Sequence, residues 1–113
     1  MKIAIIGSRT FENYEYLSQI IQDLGLNISE LISGGAKGTD TLAENWAKDH
    51  NTRITIFAPD WGKYGIAAGV IRNKKIVEAC DFCLIFWDGK SKGTKSSIDF
   101  CKKLSKPMKI VLI

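Results

Sequence analysis

Long apolar runs and targeting signals are missing from this sequence. No run approaches the roughly 20 apolar residues that span a membrane, and the segment Met1–Gly7 has only four consecutive apolar residues after its lysine. Such a run is too short for the core of a signal peptide and is typical of a buried strand. The sequence therefore predicts a cytoplasmic protein with no membrane association.

Cysteine and histidine are also scarce. The chain has three cysteines, Cys80, Cys83 and Cys101, and one histidine, His50. Cys80 and Cys83 form a Cys-x-x-Cys pair, but no second pair exists and His50 is distant in sequence. The pair falls where a helix is predicted to pass into a strand, so the two thiols need not face each other. We expect buried, neutral thiols, with no metal site and no cofactor.

Linkers, repeats and low-complexity segments are absent as well. Hydrophobic residues make up 45% of the chain and charged residues 25%, which excludes a disordered or fibrous protein. A chain of 113 residues has the size of one domain and is too small for two. We therefore expect a single domain over residues 1–113.

The net charge of +4 is concentrated in one part of the chain. Residues 88–113 hold seven lysines and two aspartates, a balance of +5, whereas the nine basic and ten acidic residues of 1–87 balance at −1. The basic segment could attract an anion or nucleic acid, or could form the solvated face of a helix. From the sequence alone we favour the solvated face.

Apolar segments of strand length alternate with segments of helical periodicity, which predicts an α/β fold. A first helix is predicted between the capping residue Asn13 and Gly25, and residues 60–67 are predicted to form a loop. The predicted strands are Lys2–Ile6, Glu30–Ser33, Arg53–Ala58, Phe82–Trp87 and Met108–Ile113. Three further helices are predicted. One begins near Thr39 or Asp40, and the other two cover Ala68–Ala79 and Thr94–Leu104. Five apolar strands joined by helices indicate a small Rossmann-like, three-layer fold, with a five-stranded parallel sheet and helices on both faces.

Nine of the ten glycines fall in the loops that follow predicted strands, or directly beside those loops. In a parallel sheet these loops share one edge, and ligands bind in the crevice beyond that edge. The densest loop, Ser33–Asp40, carries three glycines and Lys37 ahead of a helix. Because glycines allow close approach and helix starts attract anions, we predict a phosphate or nucleotide site there. A tight turn that needs glycine only for its dihedral angles is the structural alternative.

Other residues of the same edge could contribute to this site. Ser8 and Arg9 offer a hydroxyl and a guanidinium suited to a phosphate, and Arg72 could reach the site from its helix. Trp61 and Tyr64 could stack on a base or simply pack the loop.

A complete catalytic set is missing. The glycine loop lacks the G-x-G-x-x-G pattern, and Gly89-Lys90-Ser91 imitates only the end of a Walker A loop, since Leu84 stands at its first glycine. His50 has no evident acid or nucleophile partners. Asp88, directly after an apolar strand, is the best candidate for a lone acid, whereas Asp40 more plausibly supports a helix start.

Four segments in order carry a family resemblance: Ile3–Arg9, Ile32–Asp40, Ala68–Asn73 and Phe86–Thr94. They resemble the YspA-type, YpsA-related branch of the SLOG superfamily, which also contains the LOG phosphoribohydrolases and the DNA-processing protein DprA. The resemblance spans nearly the whole chain and implies a Rossmann-like fold that binds nucleotides, nucleotide derivatives or nucleic acid. The residues to which it gives a ligand-binding role are Gly7, Ser8, Arg9, Gly34, Gly35, Lys37, Gly38, Thr39, Arg72, Asn73, Gly93 and Thr94.

The same resemblance bears on catalysis. The LOG enzymes carry P-G-G-x-G-T-x-x-E, in which the glutamate serves the cleavage of a ribosyl bond. Thr94 matches the threonine, but Ser97 stands where the glutamate would be. An oxocarbenium-like transition state needs a nearby negative charge or a base-held water, which Asp88 or Asp99 would have to supply. The resemblance therefore favours binding without catalysis.

Three functions stay open on these grounds. The first is non-catalytic binding of a nucleotide or an ADP-ribose-type ligand, as a sensor or as a sequestering domain. The second is an N-glycosidic phosphoribohydrolase acting on nucleoside phosphates, and the third is DNA binding through Lys102, Lys103 and Lys106. The resemblance also implies a homodimer, for which the helix face Val70–Ala79 is one candidate surface.

Overall fold

The computed structural model describes all 113 residues, Met1–Ile113, as five strands and five helices. The strands are β1 (Lys2–Gly7), β2 (Glu30–Ser33), β3 (Arg53–Ile56), β4 (Phe82–Trp87) and β5 (Met108–Leu112). The helices are α1 (Tyr14–Leu24), α2 (Thr39–Asp49), α3 (Trp61–Tyr64), α4 (Ala68–Ala79) and α5 (Lys92–Lys103), with a 3-10 turn at Gly65–Ala67. None of these helices is long and apolar enough to cross a membrane.

The five strands form one parallel sheet in the order β3-β2-β1-β4-β5. The chain builds outward from β1 to β3 and then returns to place β4 and β5 on the other side of β1. The strand order therefore reverses between β1 and β4, which is where open α/β sheets bind ligands. The predicted Rossmann-like, parallel fold class is confirmed.

Helices cover both faces of the sheet because strand side chains alternate between two apolar cores. On one face, α1 and α2 bury Leu17 and Trp46 against β-strand residues such as Ile5. On the other face, α4 and α5 bury Val77 and Ile98 against the opposite side of the strands. The three layers leave the carboxyl edge of the sheet to the connecting loops.

The predicted ends of α1 are confirmed, since each end carries its capping residue. The Asn13 side chain accepts a hydrogen bond from the Tyr16 N–H at 3.0 Å. Gly25 ends the helix in the left-handed conformation with φ of 61°. Both capping residues lie at the helix ends that they define, so the sequence alone was enough to predict these ends.

Three predicted boundaries were wrong, each because of a neighbouring group. Residues 60–67 form α3 and a 3-10 turn instead of a loop, since the Asp60 carboxylate accepts the Lys63 N–H at 3.1 Å and caps the turn. β3 ends at Ile56, because its partner strand β2 ends at Ser33. α5 begins at Lys92, before the predicted Thr94, since Asp88 closes the preceding turn through the N–H groups of Lys90 and Ser91.

The three cysteines are buried and form no disulfide. The Sγ atoms of Cys80 and Cys83 nevertheless lie 3.3 Å apart. The end of α4 and the inner face of β4 deliver these thiols to the same apolar cluster, which also holds Cys101. The buried thiols were expected, whereas their mutual contact was not.

Candidate functional site

Two hollows adjoin at the carboxyl edge of the sheet. An outer cleft of about 690 Å³ and an inner hollow of about 70 Å³ share Arg9, Gly34, Ala36 and Arg72, and so form one continuous site. The outer cleft is completed by Gly35, Lys37, Thr41, Glu44, Pro59 and Trp61. The inner hollow is completed by Ile6, Gly7, Asp40, Asn73, Ile76, Ser91, Gly93, Thr94 and Ser97. Loops that follow four separate strands therefore converge on one site of the size that small ligands occupy.

Arg72 is one of two cations, with Arg9, that line both parts of the site. Its Nη1 donates to the Gly34 carbonyl at 2.6 Å, and its Nε donates to Asn73 Oδ1 at 2.9 Å. Burial lowers the pKa of Arg72, the Asp40 carboxylate raises it, and the Arg9 guanidinium lowers it again. A guanidinium stays charged in proteins, so Arg72 presents a fixed positive charge with further N–H groups left for a ligand.

Asp40 is the buried counter-charge of Arg72. It is 8% exposed, and its Oδ2 accepts the Ala36 N–H at 3.1 Å, which closes the glycine loop onto the first turn of α2. Burial raises the pKa of Asp40, the Ala36 hydrogen bond and the Arg72 charge lower it in part, and the Glu44 charge raises it further. The role of Asp40 is therefore to hold the loop and to offset Arg72.

We expect Asp40→Asn to reduce the pH dependence of stability and to strengthen anion binding. Because the folded-state pKa lies above the unfolded value of about 3.9, the carboxyl binds protons more tightly in the folded chain. Its contribution to stability is thus present below the unfolded pKa and is lost as pH rises through the folded pKa. Asparagine keeps an oxygen for the Ala36 N–H but removes the charge beside Arg72, so phosphate affinity should rise about fivefold.

Urea unfolding of both proteins from about pH 3.5 to about pH 7 measures the first effect, because this range begins just below the unfolded carboxyl pKa of about 3.9 and extends well above it. Titration calorimetry with inorganic phosphate at pH 7 measures the second. Equal pH slopes in the two proteins would contradict the assignment of the raised pKa to Asp40.

The start of α5 is open toward the inner hollow. Its N-cap residue Ser91 makes no side-chain capping bond, and the Ser91 hydroxyl instead pairs with Thr94 Oγ1 at 3.2 Å. The N–H groups of Gly93 and Thr94 form no hydrogen bond within the chain. Asn73 Nδ2 donates to the Gly93 carbonyl at 3.3 Å and so ties this turn to α4. An uncapped helix start of this kind favours an anion.

The start of α2, in contrast to that of α5, is occupied by hydrogen bonds to another part of the chain. The Thr39 N–H and hydroxyl both donate to the Ser8 carbonyl, at 3.1 Å and 2.9 Å. Ser8 itself is 3% exposed, and its hydroxyl pairs with Thr10. The structure places Ser8, Gly38 and Thr39 beneath the site, where they pack the β1 loop against the glycine loop. A phosphate would therefore meet the flank of the glycine loop and not the start of its helix.

Two further predicted residues lie outside the site. Asp88 accepts the N–H groups of Lys90 and Ser91, both at 2.8 Å, and these hydrogen bonds lower its pKa. Tyr64 lines neither the outer cleft nor the inner hollow. It lines a further hollow of about 170 Å³ that shares only Arg72 with them, and the Lys63 and Lys75 ammonium groups lie near its ring. Trp61, by contrast, is 54% exposed and lines the outer cleft.

Thr41, Glu44 and Pro59 line the outer cleft and were not predicted. One available signal was helical spacing, because Glu44 follows Asp40 by four residues and so lies one turn further on the same face of α2. Pro59 had a second signal, since it comes just after the third predicted strand, at the edge where ligands bind.

Comparison with known proteins identifies the family. A model described as the YspA, cpYpsA-related SLOG family matches residues 1–64. The Gene 61 protein of Mycobacterium phage D29 is 30% identical over 119 aligned positions, which cover 95% of this chain and 93% of that protein. The chain belongs to the YspA, cpYpsA-related SLOG family. The expected resemblance is thereby confirmed.

Two solved structures share the fold of this SLOG-family chain. One is DNA processing protein A from Helicobacter pylori, described for its single-stranded DNA binding mode, with a TM-score of 0.74 and 22% identity over 97% of this chain and 64% of that one. The other is DprA from Streptococcus pneumoniae, with a TM-score of 0.77 and 18% identity over 96% of this chain and 49% of that one. The SLOG-family chain thus spans less than two thirds of each protein, and these likenesses show the fold.

Proposed function

We propose that this SLOG-family chain binds a nucleotide or a nucleotide-derived molecule of the ADP-ribose type, as a non-catalytic sensor or sequestering domain. The observation that carries the proposal is the convergence of Arg9, Lys37 and Arg72 on one cleft that reaches the uncapped start of α5. Three cations and unpaired N–H groups suit a phosphate or diphosphate. The exposed ring of Trp61 suits the stacking of a base.

The sizes of the two hollows support one orientation of the ligand. The inner hollow, at about 70 Å³, has room for one phosphate group beside Arg72 and Thr94. The outer cleft, at about 690 Å³, has room for a nucleoside. A ligand that enters phosphate first would pair its charge with the cations and leave its base near Trp61.

The positions of Ser97, Asp88 and Asp99 support binding over N-glycosidic hydrolysis. Ser97, which replaces the LOG glutamate, is 1% exposed and donates to the Gly93 carbonyl. Asp99 forms an ion pair with Lys95 on the exposed face of α5, and the Asp88 carboxylate accepts the Lys90 N–H within its own turn. Neither aspartate lines the cleft, so neither can readily replace the missing glutamate.

DNA binding is the second candidate, favoured by the likeness to DNA processing protein A. Lys102 and Lys103 lie in the last turn of α5, and Lys106 donates to the Cys80 carbonyl. α5 starts at the cleft, and its twelve residues run about 18 Å away from it. DNA held by these lysines would therefore occupy the opposite edge of the sheet and leave the cleft unused.

Titration calorimetry with nucleoside mono- and diphosphates, ADP-ribose and a single-stranded oligonucleotide separates these functions. We expect micromolar binding of at least one nucleotide-type ligand, with no free base detected by chromatography after long incubation. Released base would establish the hydrolase instead. Oligonucleotide binding that falls steeply with salt and is lost in a Lys102→Gln, Lys103→Gln, Lys106→Gln variant, without any nucleotide binding, would establish the DNA function. Native mass spectrometry of the same sample would test the proposed homodimer.

A further inference from the structure

Glu44 is the only acidic residue that lines the outer cleft. Three cations, Arg9, Lys37 and Arg72, line the same space. Glu44 is half-buried, yet its carboxylate forms no hydrogen bond, and the only ion pair in the structure joins Lys95 and Asp99. A site evolved only for phosphate gains nothing from this carboxylate, since its charge repels the ligand.

The chemistry of a carboxylate limits what it can bind. An ionised carboxylate only accepts hydrogen bonds, and its two oxygens match a group with two adjacent donors. A vicinal diol supplies two such donors without any charge. The ionised oxygens of a phosphate supply none, and their charge would be repelled, so the part of the cleft beside Glu44 suits a sugar and not a phosphate.

The position of Glu44 fits a sugar attached to the phosphate of the inner hollow. Asp40 lines the inner hollow, and Glu44 lies one helical turn, about 5.4 Å, further along α2. A ribose follows its 5′-phosphate by a few covalent bonds, which is a distance of the same order. Trp61 lines the same outer cleft and is exposed, so its ring is available to the base.

We propose that Glu44 binds the 2′- and 3′-hydroxyls of a ribose and thereby makes the cleft selective for ribonucleoside phosphates over their deoxy counterparts. The inference rests on the proposed nucleotide function and names its ligand class. Because a charged hydrogen bond is lost when a hydroxyl is missing, the wild-type chain should prefer the ribo form by about 10- to 100-fold. A DNA strand, which lacks the 2′-hydroxyl, would gain nothing from Glu44.

The test compares four probes: ribose 5-phosphate, 2-deoxyribose 5-phosphate, a panel of ribonucleoside 5′-monophosphates and the matching 2′-deoxy panel. Affinities are measured by calorimetry for wild type, Glu44→Gln and the control Glu78→Gln, whose side chain is exposed on α4 outside both hollows. In Glu44→Gln the ribo preference should fall to about twofold or less, while affinity for inorganic phosphate is unchanged or higher. Glu78→Gln should behave as wild type.

Three results would overturn the inference. Equal affinities of wild type for ribo and deoxy probes would remove the selectivity. A parallel loss of both affinities in Glu44→Gln would mean that Glu44 supports Lys37 or the loop and does not contact the sugar. Phosphate binding without binding of any sugar phosphate or nucleotide would leave an anion site but no diol subsite, whereas no binding of any probe by wild type would overturn the proposed function itself.

Discussion

Arg72→Ala is expected to lower nucleotide affinity by about 100-fold and to reduce the free energy of unfolding by about 2 kcal/mol. The guanidinium of Arg72, like that of Arg9, lines both the inner hollow and the outer cleft, and its Nη1 donates to the Gly34 carbonyl. Removal of the Arg72 guanidinium takes away a positive charge that would face the ligand, and it breaks the hydrogen bond to the glycine loop. It also leaves the buried Asp40 carboxylate without the opposing charge of Arg72. Calorimetric titration and urea unfolding measure the two effects separately.

The double variant Arg72→Ala, Asp40→Asn separates stability from recognition. Neutralising Asp40 removes the uncompensated buried charge, so much of the lost stability should return. Affinity should stay low, because only one of the two guanidiniums that line both hollows, that of Arg9, remains. Arg72→Lys should show an intermediate affinity, since a lysine keeps the charge but not the planar set of donors. Near wild-type binding in Arg72→Ala would place the ligand elsewhere on the chain.

The fold was predictable because its signals are local. Apolar runs bounded by glycine or proline defined the strands, and the cap residues Asn13 and Gly25 defined α1. Parallel connectivity then implied that the glycine loops share one edge, as they do. The least accurate prediction was the loop at residues 60–67, where the structure has α3. This helix depends on one capping carboxylate, that of Asp60, and the composition of the surrounding residues is typical of a loop.

The site was predictable as a region but not residue by residue. Gly38-Thr39 and Gly93-Thr94 look alike in sequence, since each pair stands at the start of a helix. The first pair is closed by the Ser8 carbonyl, which β1 delivers from a distant part of the chain, whereas the second pair has no such neighbour. Whether a helix start is open to an anion thus depends on packing between loops, which no local pattern encodes.

Gly38→Ala is expected to be among the most destabilising substitutions of one methyl group in this chain, with a loss of about 3 kcal/mol or more in unfolding free energy. A Cβ at this position would lie 2.4 Å from the carbonyl carbon and oxygen of Arg9 and 2.6 Å from the Ser8 carbonyl oxygen. These are backbone atoms that cannot rotate away, so the β1 loop must move. Because Arg9 moves with it, nucleotide affinity should also fall by at least about tenfold.

Gly65→Ala is the matched control, since Gly65 (φ 58°, ψ −135°) has nearly the same backbone conformation as Gly38 (φ 70°, ψ −121°), but the space around Gly65 is open. It should lose only the cost of placing an alanine in this backbone region, which glycine alone adopts readily, about 1 to 3 kcal/mol, and leave the binding of inorganic phosphate unchanged. The difference between the two variants isolates the loop contact from the backbone conformation. Urea unfolding with equal losses at both positions would show that the contact between the glycine loop and the β1 loop does not hold the site together, and that Arg9 is positioned by other means.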